Sequence, residues 1–249
     1  MIFRQLFEPV SSTYTYLVGS EHTGEAILVD PVLPAWQRDR AAVAALGLRL
    51  AFTVETHVHA DHVTSALRLK REAGCRIAYP AGSGVACADL LLDESRPLVL
   101  GELRLEPLAT PGHTDDHLAY RIEDRVLTGD ALLIDGCGRV DFQNGDAATL
   151  YRSVHDRLFS LPDDTLVFPA HDYHGRRVST IGQEKARNPR LGGGRDLGAF
   201  VRIMDALDLP YPKFIDYAVP GNRLCGTCPD ALPNELRAYC DGAAPAIQG

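Results

Sequence analysis

The sequence has no long apolar run, and this absence argues against a membrane-spanning helix. Apolar stretches such as 131–134 and 48–54 are far shorter than the roughly twenty residues that a helix needs to cross a bilayer. Residues 1–7 also lack the apolar core of a signal peptide and the Arg- and Ser-rich composition of a transit segment. We therefore expect a cytoplasmic protein without membrane association, or a mitochondrial matrix protein if a transit segment has been removed.

No block of lysine and arginine stands out in the sequence either. The 33 acidic residues outnumber the 25 basic ones and give a formal net charge of -8. This balance argues against a general nucleic-acid-binding role. An anionic substrate would therefore need arginines placed locally in its own binding site.

The sequence lacks the dense cysteine framework of a disulfide-stapled miniprotein. The six cysteines are Cys75, Cys87, Cys137, Cys225, Cys228 and Cys240. Because they are scattered through a chain too long to be a disulfide-stapled scaffold, we expect most of them to be reduced. Cys225 and Cys228 form a C-x-x-C pair that lacks the βαβ context of a thioredoxin motif and a second pair for a four-cysteine zinc site. We expect a structural pair, with a thiol in the substrate pocket at Cys225 as the alternative.

Short apolar runs separated by turn residues predict alternating strands and helices. Strands are expected at 2–7, 13–18, 26–29, 48–54, 76–79, 98–100, 103–109, 118–122, 126–128 and 166–168, and helices at 36–46, 63–73, 84–92, 146–161 and 196–207. These elements form two similar halves, which fits two mixed sheets packed face to face with helices outside. The expected fold is therefore of the α/β class, a four-layer αββα sandwich.

One large domain with a short extension fits the length and composition. A chain of 249 residues with 45% hydrophobic content can bury one substantial core. The run of glycines at 192–194 marks a flexible break, and most of the later sequence is Pro-rich and irregular. We expect a main domain over residues 1–190 and a C-terminal extension over 191–249 that packs on this domain and its substrate pocket.

Residues 56–62 concentrate histidine and aspartate immediately after the strand expected at 48–54. They contain His57, His59, Asp61 and His62. Imidazole and carboxylate together are ligands for a borderline or hard transition metal, and the absence of cysteine argues against a closed structural zinc site. A solvated polar loop is the alternative, but it gives no reason for histidines at alternate positions followed by a carboxylate. The stretch therefore predicts a metal site at a strand-to-helix junction.

Three further polar residues follow predicted strands and Gly or Pro turns. They are His113, Asp130 and His171. Loops at strand ends commonly carry function, because the sheet fixes their position while the loop exposes the side chain. Each residue is a weak signal by itself, but their order along the chain strengthens all of them together.

This order resembles the ligand pattern of the metallo-β-lactamase superfamily across residues 2–171. In hydrolytic members, the resemblance implies a first zinc ion held by His57, His59 and His113 and a second held by Asp61, His62 and His171, with Asp130 bridging. Water between two metal ions becomes a hydroxide nucleophile near neutral pH. The motif alone therefore predicts a zinc hydrolase.

Other segments resemble one branch of the superfamily, the persulfide dioxygenases, also called sulfur dioxygenases. These segments are 138–145, 149–151, 169–175, 188–191 and 219–222 with 225–226, so the resemblance covers nearly the whole chain. The glyoxalase II branch has a glutamate where this chain has Asp172, and it carries a larger C-terminal domain. The resemblance therefore favours the dioxygenases of sulfur metabolism.

The resemblance implies one Fe(II) ion per chain, held by His57, His113 and Asp130. Two imidazoles and one carboxylate on one face of the ion leave positions open for substrate and O2. The other members of the cluster are then expected to orient the ligands by hydrogen bonds, or to hold a second metal ion. They are His59, Asp61, His62 and His171.

The implied substrates are glutathione persulfide and O2, with sulfite and glutathione as products. Arg190 is expected to bind a glutathione carboxylate with its planar guanidinium, and Tyr173 is expected to supply a hydroxyl beside it. Arg139 has two interpretations, since it either contacts the substrate or pairs with Asp141 to hold its loop. Members of the family are often dimers, so a homodimer is also implied.

Two other functions remain open from the sequence. A dizinc hydroxyacylglutathione thioester hydrolase of the glyoxalase II type shares the ligand set and the glutathione moiety. A metal-binding or thiol-sensing module would load metal and turn over neither substrate. Metal content and O2 uptake distinguish these functions from a dioxygenase.

Overall fold

The chain builds two six-stranded sheets in a computed structural model that describes residues 1–228 and Arg237. The first sheet contains β1 (Ile2–Glu8), β2 (Thr13–Ser20), β3 (Glu25–Val29), β4 (Arg49–Val54), β5 (Arg76–Pro80) and β6 (Leu90–Leu92). The second contains β7 (Leu98–Leu100), β8 (Leu103–Ala109), β9 (Leu118–Ile122), β10 (Arg125–Gly129), β11 (Leu166–Pro169) and β12 (Ser179–Thr180). Each strand is hydrogen-bonded to the next one in its sheet.

The strand directions bring several strand ends to one edge of the second sheet. β8 and β10 are both antiparallel to β9, and β11 is parallel to β10, so all three end at the same edge. In the first sheet, β3, β4, β5 and β6 are parallel. The end of β4 joins the same region, since the Leu118 backbone N donates to the Thr56 carbonyl at 2.8 Å. Loops from both sheets therefore meet at one place.

Side chains alternate between the two faces of each strand, as a pleated strand requires. On β2, Tyr14, Tyr16 and Val18 point into the core between the sheets, where they pack with Phe168 of β11. Leu17 points the opposite way, into a second core beneath the helices of the first sheet. The alternation shows that β2 is covered on both faces, which explains why every residue of this strand is buried.

Six α-helices lie outside the sheets in the described part of the chain. They are α1 (Trp36–Ala45), α2 (Ala66–Ala73), α3 (Ala147–Ser153), α4 (Ile181–Arg187), α5 (Leu197–Asp205) and α6 (Ile215–Asn222). α1 and α2 pack on the first sheet. α3 continues as a π-helical turn over Val154–Leu158 and packs with α5 on the second sheet. The predicted αββα sandwich is confirmed.

Predicted helix ends are confirmed where a capping side chain or a glycine sets them. The Asp146 carboxylate accepts a hydrogen bond from the Thr149 backbone N at 2.7 Å at the start of α3. At the end of α2, Gly74 adopts a φ of 72°, in the left-handed region that favours glycine.

The helix predicted at 84–92 is wrong, because its apolar end forms the edge strand β6 beside β5. The Asp89 backbone N donates to the Ile77 carbonyl, and the Asp89 carboxylate accepts from the Ile77 backbone N, both at 2.8 Å. A short apolar run does not by itself distinguish helix from strand.

α6 lies in a region predicted to be irregular, and α4 was not predicted. Pro220 lies inside α6 and Gly182 lies inside α4, and both residue types have low helix propensity. Because local propensity does not favour α4 and α6, we infer that contacts with distant parts of the chain stabilise them.

The division at residue 190 stays a prediction. α5 packs against α3 through the second-sheet core, which places this part of the extension on the main domain. Residues 229–236 and 238–249 of the predicted extension lie outside the described residues. No helix of the described chain is both long and apolar enough to cross a bilayer.

The expectation that most cysteines are reduced is wrong. Cys87 and Cys225 form a disulfide, and Cys228 is also disulfide-bonded. Cys75 and Cys137 are free and buried, while Cys240 lies outside the described residues. Cys87 and Cys225 are 138 residues apart, so only the folded chain reveals their proximity.

Candidate metal centre

The sequence-predicted ligands meet where the strand ends converge. His57 follows β4, His113 follows β8, Asp130 follows β10 and His171 follows β11. One donor atom from each of His57, His113 and Asp130 lies within 4.8 Å of the others. Residues far apart in the sequence therefore form one cluster of imidazole and carboxylate groups.

Buried atoms without partners mark this first set as a fit for a metal ion. His57 Nε2 and Asp130 Oδ1 are buried and have no hydrogen-bond partner among the described residues, although buried polar atoms are almost always paired. His113 Nε2 lies 3.3 Å from Asp130 Oδ2. Two imidazole nitrogens and a carboxylate are a suitable donor set for a divalent transition metal.

The tautomer of His57 is set by residues behind it. Asp30 accepts hydrogen bonds from the Thr56 backbone N at 2.7 Å and from Thr56 Oγ1 at 2.9 Å. Because the Thr56 hydroxyl donates to Asp30, it accepts from His57 Nδ1, which lies 2.9 Å away. Nε2 therefore keeps its lone pair. Burial and the neighbouring histidines lower the pKa of His57, which favours the neutral, metal-binding form.

His113 is oriented in the same way by a backbone carbonyl. Its Nδ1 lies 2.6 Å from the Arg139 carbonyl, which can only accept, so Nε2 carries the free lone pair. On the other side, the Asp130 backbone N donates to His117 Nε2 at 3.1 Å. Burial lowers the pKa of His117, consistent with a neutral acceptor.

Asp30, Thr56 and His117 were missed as functional residues by the sequence analysis. Asp30 directly follows β3 with a φ of 50°, and it could have been found by the same strand-end rule that identified Asp130. His117 lies four residues after His113, but one histidine at the start of a strand is a weak signal. Their contribution becomes clear only from the hydrogen bonds.

A second set of predicted residues lies beside the first. Donor atoms of His59, Asp61 and His62 lie within 4.8 Å of one another, and Asp61 Oδ2 is 2.9 Å from His62 Nδ1. His171 Nε2 lies 3.5 Å from both Asp61 Oδ2 and Asp130 Oδ1. His59 Nδ1 and His62 Nε2 are buried and have no hydrogen-bond partner in the part of the chain that the structure describes. The structure thus brings all seven predicted residues together.

The electrostatics of the second set come from buried carboxylates. Burial would lower the pKa of His59, but Asp30 and Glu55 raise it well above its ordinary value. His59 Nε2 lies 3.0 Å from Asp30 Oδ1 and 3.4 Å from Glu55 Oε2. Burial would raise the pKa of Asp61, but His62 and His171 lower it well below its ordinary value.

α6 holds the loop that carries these residues. The fully buried Asn222 donates from Nδ2 to the His59 carbonyl at 2.9 Å and to the His62 carbonyl at 2.8 Å. Its Oδ1 accepts from the Thr64 backbone N at 2.8 Å. Gly226 also lies so close to Thr64 that a Cβ there would meet the carbonyl oxygen at 2.1 Å.

A cavity of about 480 Å³ opens onto the cluster. Its lining includes His113, Asp130, His171 and the three predicted substrate residues Tyr173, Arg139 and Arg190. The ring of Tyr173 lies parallel to that of His171, with centroids 6.1 Å apart. The cavity therefore connects the predicted metal ligands with the predicted substrate contacts.

The alternative of a pocket thiol at Cys225 is wrong, because Cys225 is bonded to Cys87 in a disulfide. Cys225 is fully buried and packs with Val58, Ile77 and Val85, away from the cavity lining. Cys137 is the free thiol that lines the cavity. Burial raises the pKa of Cys137 to about 11, so it is protonated at neutral pH.

The arginines of the cavity differ in their partners. Arg139 Nε and Nη2 each donate to the Asp141 carboxylate at 2.6 Å, which favours the structural interpretation of this residue. Arg176 pairs with Asp135 and Asp172. Arg190 donates from Nη1 to the Cys137 carbonyl at 2.8 Å and forms no ion pair with the described carboxylates.

Comparisons with known proteins agree with this arrangement. The family profile described as the metallo-beta-lactamase superfamily matches residues 9–171. The chain is 48% identical to the mitochondrial persulfide dioxygenase ETHE1 of Bos taurus over 91% of this chain and 89% of that protein. The crystal structure of ETHE1 from Myxococcus xanthus superposes with a TM-score of 0.88 at 50% identity, covering 91% of this chain and all of that one.

A hydrolase relative is more distant. The hydroxyacylglutathione hydrolase of Methylococcus capsulatus is 36% identical over 66% of this chain and 64% of that protein. The extent and identity of the ETHE1 matches are both greater. The chain therefore belongs to the metallo-beta-lactamase superfamily and, within it, to the persulfide dioxygenase family.

Proposed function

We propose that this protein is an Fe(II)-dependent persulfide dioxygenase that converts glutathione persulfide, O2 and water to glutathione and sulfite. The observation that carries the proposal is the set of His57, His113 and Asp130 beside a cavity whose Arg190 forms no ion pair with the described carboxylates. In the balanced reaction, the outer sulfur loses four electrons and O2 accepts them, with two protons released. An Fe(II) ion held by these residues would supply the redox chemistry that activates O2.

The residues of the chain prepare and orient this site. Thr56 and the Arg139 carbonyl hold the Nδ1 atoms of His57 and His113, which directs both Nε2 lone pairs to the proposed metal position. The His117 bond fixes the backbone of Asp130. Because these partners are buried and in place, the ligands need little reorganisation to bind an ion.

Arg190 is the proposed contact for a carboxylate of glutathione. A guanidinium binds a carboxylate through two parallel hydrogen bonds, and it does so best when no protein carboxylate competes. Arg139 and Arg176 are already paired with aspartates. We propose Tyr173 as a second contact at the cavity mouth, since it is 70% exposed beside His171.

Metal analysis of anaerobically purified protein, combined with O2 uptake, tests this function. We expect about one iron per chain and O2 consumption with sulfite release when glutathione persulfide is added. Two zinc ions per chain, with hydrolysis of S-lactoylglutathione and no O2 uptake, would contradict the proposal. Normal metal loading without turnover of either substrate would instead indicate a binding module.

The dizinc hydrolase is the second candidate because the second set of residues is intact. His59 Nδ1 and His62 Nε2 are buried atoms without partners, and such atoms could hold a second ion. Asp172 differs from the glutamate of the glyoxalase II branch, and its carboxylate accepts from the Arg176 side chain at 3.0 Å. A homodimer and a cytoplasmic location remain predictions from the resemblance and the sequence.

A further inference from the structure

Glu184 of α4 is a fully buried carboxylate outside the metal centre. It accepts hydrogen bonds from the Asp135 backbone N at 2.9 Å, from Asn188 Nδ2 at 2.9 Å and from the Ser179 hydroxyl. No cation of the described chain pairs with it. A buried carboxylate held only by neutral donors is unusual, because burying a charge is costly unless it is well compensated.

Asn188 extends this network to the substrate cavity. Its Nδ2 also lies 3.0 Å from the Gly136 carbonyl and 3.4 Å from the Leu133 carbonyl. Its Oδ1 accepts from the Arg190 backbone N at 3.0 Å and from the Leu191 backbone N at 3.1 Å. The Asn188 amide therefore joins the backbone of Arg190 to the segment 133–138.

The segment 133–138 holds the other end of Arg190. The Cys137 carbonyl accepts from Arg190 Nη1 at 2.8 Å. Asp135 has a φ of 56°, a conformation that is strained for a residue other than glycine. Glu184 accepts the hydrogen bond of that Asp135 backbone N. One buried carboxylate thus stabilises both supports of Arg190.

We propose that Glu184 and Asn188 are positioning residues that fix the direction of the Arg190 guanidinium and thereby make the cavity selective for persulfides that carry a carboxylate. The proposal rests on the proposed function. Its physical basis is that two-point carboxylate binding depends on guanidinium orientation, and that a side chain already held in place loses less entropy on binding. Neither residue contacts the predicted metal ligands.

Isosteric variants of Glu184 test the proposal. In Glu184→Gln, the remaining oxygen can accept from Asp135 and Asn188, while the new amide can donate to the Ser179 hydroxyl, so wild-type behaviour is expected. Glu184→Leu has no acceptor. We expect it to raise the KM for glutathione persulfide roughly tenfold, with kcat changed less than about twofold and iron content unchanged. Arg190→Ala removes the guanidinium itself, so its KM is the upper limit for the increase that loss of positioning can cause.

The substrate comparison separates positioning from a general structural effect. The persulfide of glutathione diethyl ester has no free carboxylate, so Glu184→Leu should leave its KM unchanged. Lys185→Leu, on the neighbour in α4 whose side chain pairs with Asp163, is the control and should show the wild-type KM for both persulfides. If Glu184→Leu fails to fold, Asn188→Ser takes its place with the same expected KM pattern.

Equal KM increases for both persulfides, or an unchanged KM for glutathione persulfide in a folded variant, would overturn the proposal. Calorimetry measures the binding of glutathione and of its diethyl ester directly, so the proposal can be tested without turnover. If the wild type consumes no O2, the proposed function fails. If Glu184→Leu then bound glutathione more weakly but bound the diethyl ester as the wild type does, the positioning role would still be supported. Unchanged binding of glutathione would overturn it.

Discussion

For single residues, the candidate metal centre depends on hydrogen bonds that fix which nitrogen of each imidazole is free. A neutral histidine has two tautomers, and only the one with Nδ1 protonated presents Nε2 to a metal. Asp30 orients the Thr56 hydroxyl, and Thr56 in turn accepts from His57. The carboxylate of Asp30 therefore determines the chemistry of His57 without touching it.

Thr56→Val tests this arrangement. Valine preserves the shape of threonine but removes the acceptor for His57 Nδ1, so the tautomer with the free Nε2 loses its stabilisation. We expect iron affinity to fall about tenfold, measured by competition with a chelator of known affinity.

Thr53→Val is the matched control for this change. Thr53 is fully buried nearby on β4, but its hydroxyl has no hydrogen-bond partner. Replacing an unpaired buried hydroxyl with a methyl group should leave stability unchanged or increase it. Iron affinities that are equal in the two variants would contradict the role of Thr56.

Among the helices and strands, the sequence predicted those features that depend on local residue patterns. His57, His113 and Asp130 were predicted as ligands because each follows a strand and because their order resembles the ligand pattern of the superfamily, and Asp146 was predicted to cap its helix, which the structure confirms. α6 was missed because Pro220 disfavours a helix locally. Its position is decided by contacts with residues about 160 positions earlier, which no local pattern records.

Asn222→Leu tests the hold of α6 on the metal-binding loop. Leucine is similar in size, but it leaves the carbonyls of His59 and His62 and the backbone N of Thr64 buried without their partner. We expect a loss of about 2–5 kcal/mol of unfolding free energy, together with weaker metal retention. Denaturant unfolding and metal analysis measure the two effects. An unfolding free energy equal to that of the wild type would show that the loop keeps its structure without the hydrogen bonds of Asn222.

At the scale of the whole molecule, the Cys87–Cys225 disulfide joins the β5–β6 region to the segment after α6. The cross-link closes a long stretch of chain, since its ends are 138 residues apart. Such a link restricts the unfolded chain more than the folded one. Sequence spacing did not reveal this pair, because its partners lie far apart along the chain and are adjacent only in the folded structure.

Cys87→Ser removes this cross-link. We expect the unfolding free energy to fall by about 2–4 kcal/mol, measured by denaturant unfolding without a reductant. Cys75→Ala, which changes a free buried thiol, is the control for loss of a cysteine alone. Equal stability of Cys87→Ser and the wild type would mean that the disulfide makes no net contribution.

The three side-chain hydrogen bonds of Asn222 also determine when, during synthesis of the chain, the loop that carries His59 and His62 can reach its final structure. The ribosome makes His59 and His62 early, and the residue that satisfies their carbonyls emerges about 160 positions later. Until then, the nascent chain exposes a metal-binding loop without its partner. We therefore expect the candidate site to be complete only when nearly the whole polypeptide has been made, and stable metal loading to occur at the end of translation or after release.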